Sequence, residues 1–328
     1  MEYRQLGSSS LQVSAVGFGC WQAGGYYWGH VDERDWIAAV HRALDLGVTF
    51  FDTADFYGFG RSEELLAKAL DSRRREVVIA TKVGLISRGG RRDFGATDLP
   101  ELERYIEKDL SRKHILEAAE ASLRRLRTDA IDLYLLHWPD PATPVEETAT
   151  AMQELLDAGK VRAVGCCNFP VELMQAASAR LPLDAHQLPY STLHRDAEEA
   201  IIPACQAAGI GVIAYWALCK GLLSGKYEET AVFGPDDWRY YDPLFQGAAF
   251  RRNLQTVSRL QQIAATEGIT VGQLAISWVI SRPGIASAIV GAKSAGQAAE
   301  NAAAGDVSLS SEAMASIAAA IAEKDGQA

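Results

Sequence analysis

Eight short apolar runs alternate with helix-like segments along most of this chain, and this alternation limits the possible folds more than any other feature. The runs are SAVGFGCW (14–21), TFFDTAD (49–55), VVIATKV (77–83), IDLYLLHW (131–138), VRAVGCC (161–167), AHQLPYS (185–191), GVIAYWAL (211–218) and ASAIVGA (286–292). They are apolar throughout rather than at every second residue, as in parallel strands that are buried on both faces. The sequence therefore predicts an α/β fold, a single (β/α)8 TIM barrel.

The length and the remaining segments are consistent with one barrel. Barrels of this length commonly form one unit, so we predict a single domain over residues 1–328. The opening segment EYRQLGSSSLQV predicts a β-hairpin before the barrel, and Asp32 and Thr143 are expected to cap helices. Residues 86–110 and 219–249 exceed ordinary loop length and follow the third and seventh strands. We expect both to cover substrate, because barrel enzymes build their sites at that end.

Charge and composition exclude several classes of function. The formal net charge of −10 argues against nucleic-acid binding. The N-terminal sequence lacks the pattern of a secretory signal, and no apolar run approaches the ~18 residues of a membrane span. The five cysteines form no CxxC pair and the six histidines no H-x-H, so we expect neither disulfides nor a metal site. The sequence favours a cytoplasmic protein and does not indicate an oligomeric state.

Four polar residues lie near the carboxyl ends of consecutive predicted strands. Asp52 and Tyr57 follow the second strand, Lys82 ends the third and His137 ends the fourth. In a barrel these ends converge on one mouth. Carbonyl reduction needs an acid beside the carbonyl, and a free tyrosine is a poor one near neutrality. A lysine cation is expected to lower the tyrosine pKa, a carboxylate to keep that lysine charged, and a histidine to orient the substrate oxygen.

Longer stretches around these residues resemble a known family. FDTADFYGFGRSEELLAKAL (51–70), ATKVG (80–84), IDLYLLHWPDP (131–141) and GKVRAVGCCNF (159–169) closely resemble the aldo-keto reductase superfamily. The resemblance runs from the opening hairpin to GAKSAGQAAEN (291–301). It implies reduction of an aldehyde or ketone by NAD(P)H, with Tyr57 as general acid and Lys82 as its partner. Asp52 would be the carboxylate beside the lysine, and His137 would orient the carbonyl.

The resemblance also implies where the cofactor binds. A GxGxxA string at 209–214 follows a helix and opens a strand, which is the reverse of the order that a dinucleotide-binding βαβ unit requires. The family instead binds its cofactor across the barrel mouth. The implied contacts are Asn168 and Gln187, with Cys167 beside them, at the carboxamide; Tyr215 and Trp216 at the nicotinamide ring; Leu218 to Gly221 at the pyrophosphate; Lys293, Ser294 and Gln297 at the adenosine phosphate; and Glu300 and Asn301 at the adenine.

Two departures from the family pattern bear on the cofactor. Cys167 stands where the family often has serine, and Gln297 stands where many NADPH-specific members have arginine. A lysine and a helix N-terminus can still bind a phosphate, but without the two-pronged hydrogen bonding of a guanidinium. Ser294 and Gln297 also form an S-x-x-Q pattern that is typical of a helix cap. NADPH is the favoured cofactor, and NADH stays open as an alternative.

The substrate is less well indicated than the reaction. The aromatic residues Trp21, Trp28, Phe56 and Trp138 are candidates for the walls of a substrate pocket, and packing roles are equally compatible with them. The expected partner is a small carbonyl compound or alcohol, and the direction of the reaction in the cell is not encoded. A rival function is a nucleotide-binding sensor with little turnover. The intact set of four polar residues argues against it.

Overall fold

The predicted barrel is confirmed by the computed structural model, which describes residues 1–25, 31–88, 104–235 and 237–325. Eight parallel strands close into a barrel in chain order, each hydrogen-bonded to the next and the last to the first. The strands are β3 (Val16–Gly19), β4 (Phe50–Asp52), β5 (Val78–Val83), β8 (Ile131–Leu136), β9 (Val161–Cys167), β10 (Ala185–Pro189), β11 (Gly211–Tyr215) and β12 (Ile285–Gly291). Most of their residues are buried, which explains their continuous apolar sequences.

The predicted N-terminal hairpin is also confirmed and closes one end of the barrel. It consists of β1 (Tyr3–Gln5) and β2 (Gln12–Ser14), which pair antiparallel. Its turn packs at the amino-terminal ends of the strands, where the backbone of Gly7 approaches Asp184 and Gly211. Leu6 is fully buried in the cluster of side chains that fills the barrel interior. The hairpin therefore leaves the carboxyl ends of the strands as the open mouth.

Helices surround the barrel and connect its strands. They are α1 (Glu33–Asp45), α2 (Arg61–Leu70), α3 (Arg112–Leu126), α4 (Val145–Asp157), α5 (Val171–Ser178), α6 (Ile201–Ala207), α7 (Gly247–Thr266), α8 (Val271–Ile280), α9 (Ala295–Ala303) and α10 (Ser311–Asp325). Their apolar faces pack on the strands and form the outer part of the core. Within the described residues no single helix is long and apolar enough to cross a membrane. Only α7 and α8 together meet that test, and they are bent by 88° to each other.

One of the two predicted helix caps is correct. The Asp32 carboxylate accepts hydrogen bonds from the backbone amides of Arg34 and Asp35 and begins α1. The prediction for Thr143 is wrong, because α4 begins at Val145 after Pro144 and has no side-chain cap. The Thr143 hydroxyl instead donates to Asp140, 2.6 Å away, and so stabilises the preceding loop.

The two long connections contain local structure of their own. The connection after β5 carries a hairpin of β6 (Leu85–Ser87) and β7 (Ile106–Lys108). The connection after β11 contains short 3-10 turns at Cys219–Ser224, Trp238–Tyr240 and Pro243–Phe245, and α7 begins two residues earlier than the expected end of that loop. Both connections contribute side chains to the barrel mouth.

Candidate active site

The carboxyl ends of the strands surround a cavity of about 940 Å³. This volume is at the upper end of the range for small-molecule sites. Most of the residues that the sequence suggested for the site line it. They are Trp21, Asp52, Phe56, Tyr57, His137, Trp138, Asn168, Gln187, Tyr215, Trp216, Leu218, Gly221, Lys293, Gln297, Glu300 and Asn301.

Lys82 lies beneath the cavity and joins the polar residues at its floor. The lysine lies on β5 and is fully buried, and its ammonium donates to both carboxylate oxygens of Asp52 at 2.8 Å. It also donates to the Thr53 carbonyl oxygen at 2.7 Å and to the Tyr57 hydroxyl oxygen at 3.3 Å, so its three N–H groups are shared among four acceptors. Burial by itself would lower the Lys82 pKa, but the charges of Asp52 and Tyr57 more than offset this and the pKa is raised. The lysine is therefore a cation at neutral pH.

Tyr57 and His137 meet above this lysine. Their rings are 5.8 Å apart between centroids and contact edge to face. Burial raises the pKa of Tyr57, and the Lys82 ammonium offsets only part of the rise. The expected effect of Lys82, a lowering of the tyrosine pKa, is present, but burial has the larger effect and the net pKa is raised. Burial and the same ammonium lower the His137 pKa well below its usual value, so both rings are neutral at physiological pH.

The residues that follow Tyr57 in the DTADFYGFGRSE motif hold its loop in place. Gly58 has a φ of +62°, and a Cβ at this position would lie 2.5 Å from the Gly24 carbonyl oxygen. The buried Ser62 hydroxyl donates to the Cys20 carbonyl oxygen at 2.8 Å. Glu63, also buried, accepts from Arg125 at 2.6 Å and from Thr81. These contacts explain why the motif needs small, hydroxyl and acidic residues beside the tyrosine.

Asp52, Tyr57, Lys82 and His137 are called the tetrad below. A chain of amide hydrogen bonds lies next to the tetrad, on the side of β9 to β11. The Gln187 side-chain nitrogen donates to Asp52 at 2.7 Å, and the Asn168 nitrogen donates to the His137 carbonyl oxygen at 3.2 Å. The Tyr215 hydroxyl donates to the Asn168 amide oxygen at 2.8 Å. Asn168 and Gln187 therefore present fixed amide groups to the cavity. Each amide nitrogen carries a second hydrogen that a carboxamide could accept.

A buried lysine organises the loop after β11. The Lys220 ammonium lies 3.9 Å from the centre of the Trp216 ring and 5.4 Å from that of Trp238. It also forms an ion pair with Asp242, which accepts from the Leu244 amide at 2.9 Å. These contacts connect residues 216–220 to residues 238–244 along one edge of the cavity. The sequence indicated Lys220 only as part of the range Leu218 to Gly221, and it offers no pattern for the contacts of the lysine side chain.

Three cations gather at the far end of the cavity. Lys293, Arg239 and Lys226 all line it, and Arg239 is oriented by its hydrogen bond to Asp237 at 2.8 Å. Burial lowers the pKa of Lys293, and the charges of Arg239 and Lys226 lower it further. The sequence indicated Lys293 but not the other two. They come from a distant part of the chain, so no local spacing relates them to Lys293.

Other predicted contact residues at this end cap a helix or form hydrogen bonds with neighbouring elements. The Ser294 hydroxyl accepts from the Gln297 amide at 3.4 Å and begins α9, and the Gln297 side chain accepts from the Lys293 amide at 2.8 Å. Glu300 accepts from Thr270 at 2.9 Å. Asn301 donates to the Gly291 carbonyl oxygen at 3.2 Å.

Two predicted contacts lie outside the lining and a third lies outside the described residues. Cys167 is buried inside the barrel, and burial raises its thiol pKa. Ser294 is turned to its cap and does not line the cavity. Trp28 falls outside the described residues. The other three aromatic candidates line the mouth, with Trp21 stacked on Tyr57 at 5.9 Å between ring centroids.

Comparisons with known proteins agree with this geometry. The sequence model of the Aldo/keto reductase family matches residues 15–322. Aldo-keto reductase YhdN of Bacillus subtilis is 41% identical over 300 residues, which is 90% of this chain and 86% of that protein. The structure of a glycerol dehydrogenase from Gluconobacter oxydans superposes with a TM-score of 0.88 at 34% identity, covering 98% of this chain and 95% of that one.

A third relative was solved with a nucleotide. An aldo/keto reductase from Klebsiella pneumoniae, in complex with NADP and acetate, has a TM-score of 0.73 at 30% identity and covers 97% of this chain and 94% of its own. The chain belongs to the aldo-keto reductase family, whose members are oxidoreductases that use NADH or NADPH. The resemblance read from the sequence motifs is therefore confirmed.

Proposed function

We propose that this protein reduces an aldehyde or ketone to an alcohol with NADPH, and that Tyr57 donates the proton. The hydrogen bond from Lys82 to Tyr57 is the observation that carries the proposal. An ammonium group can only donate, so the tyrosine oxygen accepts from it and the phenolic hydrogen is left to point elsewhere. A neutral phenol at the floor of a cavity, with its own hydrogen available, is suited to protonate a carbonyl oxygen.

The neighbouring residues would support this transfer. As the proton leaves Tyr57, negative charge develops on the phenol oxygen, and the buried Lys82 ammonium stabilises that charge. Asp52 keeps the lysine protonated. Neutral His137 can donate a ring N–H to the same carbonyl oxygen and orient it. Its Nδ1 is buried without a hydrogen-bond partner among the described residues. The reverse reaction, alcohol oxidation, would use the same groups in the opposite direction.

A dinucleotide would bind along the length of the cavity. A bound nicotinamide cofactor would supply the hydride. Asn168 and Gln187 would bind its carboxamide, Tyr215 would stack on the ring, and the backbone from Leu218 to Gly221 would approach the pyrophosphate. The amide hydrogen bonds already described support this placement, because they fix both amide groups at the floor of the cavity.

The far end of the cavity supports NADPH over NADH. Lys293, with Arg239 and Lys226 nearby, offers positive charge for an adenosine phosphate even though Gln297 replaces the usual arginine.

The state of the cysteines is consistent with a cytoplasmic location. All five are buried and unpaired, as in proteins of reducing compartments.

The proposal is tested by the oxidation of NADPH in the presence of small aldehydes. We expect turnover by the wild type and a fall in kcat of about 10² to 10⁴ in Tyr57→Phe. NADPH affinity should stay within about threefold, because the phenol contributes no more than a weak contact to a large ligand. Tyr3→Phe, which alters a hydroxyl on the exposed hairpin, is the matched control. Tight NADPH binding with no turnover of any carbonyl compound would instead favour the rival function, a nucleotide-binding sensor.

A further inference from the structure

The hairpin after β5 directs one lysine into the mouth of the cavity. Leu85 pairs opposite Lys108, and Ser87 opposite Ile106. Directly paired residues share a face and neighbours along a strand alternate, so Leu85, Ile106 and Lys108 belong to one face. All three line the cavity, whereas Glu107 points away and pairs with Arg88 at 2.5 Å. Strand register therefore determines that Lys108 faces the mouth.

The Lys108 ammonium lies beside the residue that follows His137. It is 5.5 Å from the centre of the Trp138 ring, and Trp138 is partly exposed, with 38% of its surface accessible. This cation–aromatic contact keeps the charge at the rim on the tetrad side of the cavity. The three cations Lys226, Arg239 and Lys293 lie at the other end, toward α9.

The carboxylates that line the cavity do not offset this charge. Among the described lining residues, Asp52 and Glu300 carry carboxylates. Asp52 is bound to Lys82 beneath the floor, and Glu300 accepts from Thr270 beside α9. The described lining residues at the rim near Trp138 therefore include the Lys108 ammonium and no carboxylate.

The walls next to this rim are aromatic. Phe56 and Phe59 contact each other edge to face at 5.4 Å between ring centroids, and Trp21 stacks on Tyr57. All of them line the same cavity. Flat apolar surfaces of this kind favour a flat apolar ligand.

We propose that the preferred substrates are anionic carbonyl compounds: a flat apolar body with the carbonyl at one end and a carboxylate at the other. The inference rests on the proposed function, since it assumes that the carbonyl binds at Tyr57. The carboxylate pairs with Lys108 at the rim while the apolar body packs between the aromatic walls. The pair is partly exposed, so we expect it to change kcat/KM by about threefold to tenfold.

The test compares para-carboxybenzaldehyde with its methyl ester, which has the same ring and aldehyde without the charge. The wild type should prefer the acid by about threefold to tenfold in kcat/KM, and the preference should shrink in high salt because exposed charges are screened. Lys108→Met should remove the preference, and Lys108→Glu should reverse it. Lys113→Met, at an exposed position of α3, is the matched control and should retain it.

Equal kcat/KM for the acid and the ester in the wild type would overturn the inference, as would a preference that survives in Lys108→Met. Failure of the proposed function looks different, because neither aldehyde would then oxidise NADPH. In that case the charge preference is measured by equilibrium binding of para-carboxybenzyl alcohol and its methyl ester to the NADP⁺-loaded protein. Tighter binding of the acid, lost in Lys108→Met, would uphold a site for anionic ligands, and equal binding would overturn it.

Discussion

The Lys82 ammonium donates a hydrogen bond to the Tyr57 hydroxyl oxygen over 3.3 Å, from a position that is fully buried. The direction of this bond matters more than its length. Because the lysine can only donate, the tyrosine hydrogen is left for another acceptor. Burial meanwhile raises the Tyr57 pKa, so the phenol is protonated at neutral pH. That is the form that a proton donor must have before reduction begins.

Removing the lysine charge should weaken Tyr57 as an acid. The ammonium lowers the Tyr57 pKa against the effect of burial, so Lys82→Met should raise that pKa further. Reduction needs the protonated phenol and loses rate as pH rises through its pKa. We therefore expect the high-pH limb of the kcat/KM profile to move upward, with a rate loss of about 10² to 10⁴. A profile that coincides with that of the wild type would contradict the coupling.

The same substitution should also destabilise the fold. Lys82→Met leaves the buried Asp52 carboxylate without its cation, at a cost of about 3–5 kcal/mol in the free energy of unfolding. The double variant Lys82→Met with Asp52→Asn should recover much of this stability, since no charge is then left unpaired. It should recover no activity. Urea unfolding and the NADPH assay separate the two effects, and a double variant no more stable than Lys82→Met would count against the charge explanation.

Gly58 should be needed for the position of Tyr57. In Gly58→Ala, a methyl group would clash with the Gly24 carbonyl oxygen at 2.5 Å, and φ is +62°. Gly159 is a matched control because its φ is +69° and nothing lies within 4 Å of its Cβ position. Gly159→Ala should cost about 1 kcal/mol from backbone strain alone. Gly58→Ala should cost more and lower kcat as well; equal stability and full activity in both variants would contradict the prediction.

The three cations at the far end of the cavity, Lys293, Arg239 and Lys226, should determine the preference for NADPH over NADH. Lys293→Met should weaken NADPH binding about tenfold or more and change NADH binding little, because the two differ only in the adenosine phosphate. Lys226→Met should have a smaller effect in the same direction. Equilibrium titration of both cofactors measures this without turnover, and Lys113→Met again serves as control. Parallel loss of NADPH and NADH affinity would show that Lys293 does not bind the phosphate.

His186 should make the protein sensitive to acid. It is buried on β10, and burial lowers its pKa to about 4. In the unfolded chain this histidine is protonated below about pH 6.5, whereas in the folded protein it stays neutral until about pH 4. Protons therefore favour the unfolded chain in this range, and the stability that is present above pH 6.5 is lost as pH falls toward 4. The free energy of unfolding should drop between about pH 7 and about pH 4.5, and His186→Gln should reduce that drop by about 2 kcal/mol. A drop of the same size in His186→Gln as in the wild type would contradict the prediction.

The sequence predicted the barrel well, and it also indicated that Asp52, Tyr57, Lys82 and His137 would lie together, because both inferences depend on local patterns. Continuous apolar runs identify buried parallel strands, and strand ends in a barrel meet at one mouth. Lys108, Lys220 and Arg239 could not be found in this way. Each reaches the cavity through pairing or loop packing between segments far apart in sequence.

The sequence by itself determined the eight strands, the hairpin below them and the convergence of Asp52, Tyr57, Lys82 and His137, since side-chain periodicity and strand order are local properties. Only the tertiary structure decided how those groups are charged. Burial raises the Tyr57 pKa and lowers that of His137, and the size of each effect depends on the atoms that exclude water around it. Those atoms come from many strands and loops at once, so their combined effect is a property of the folded chain.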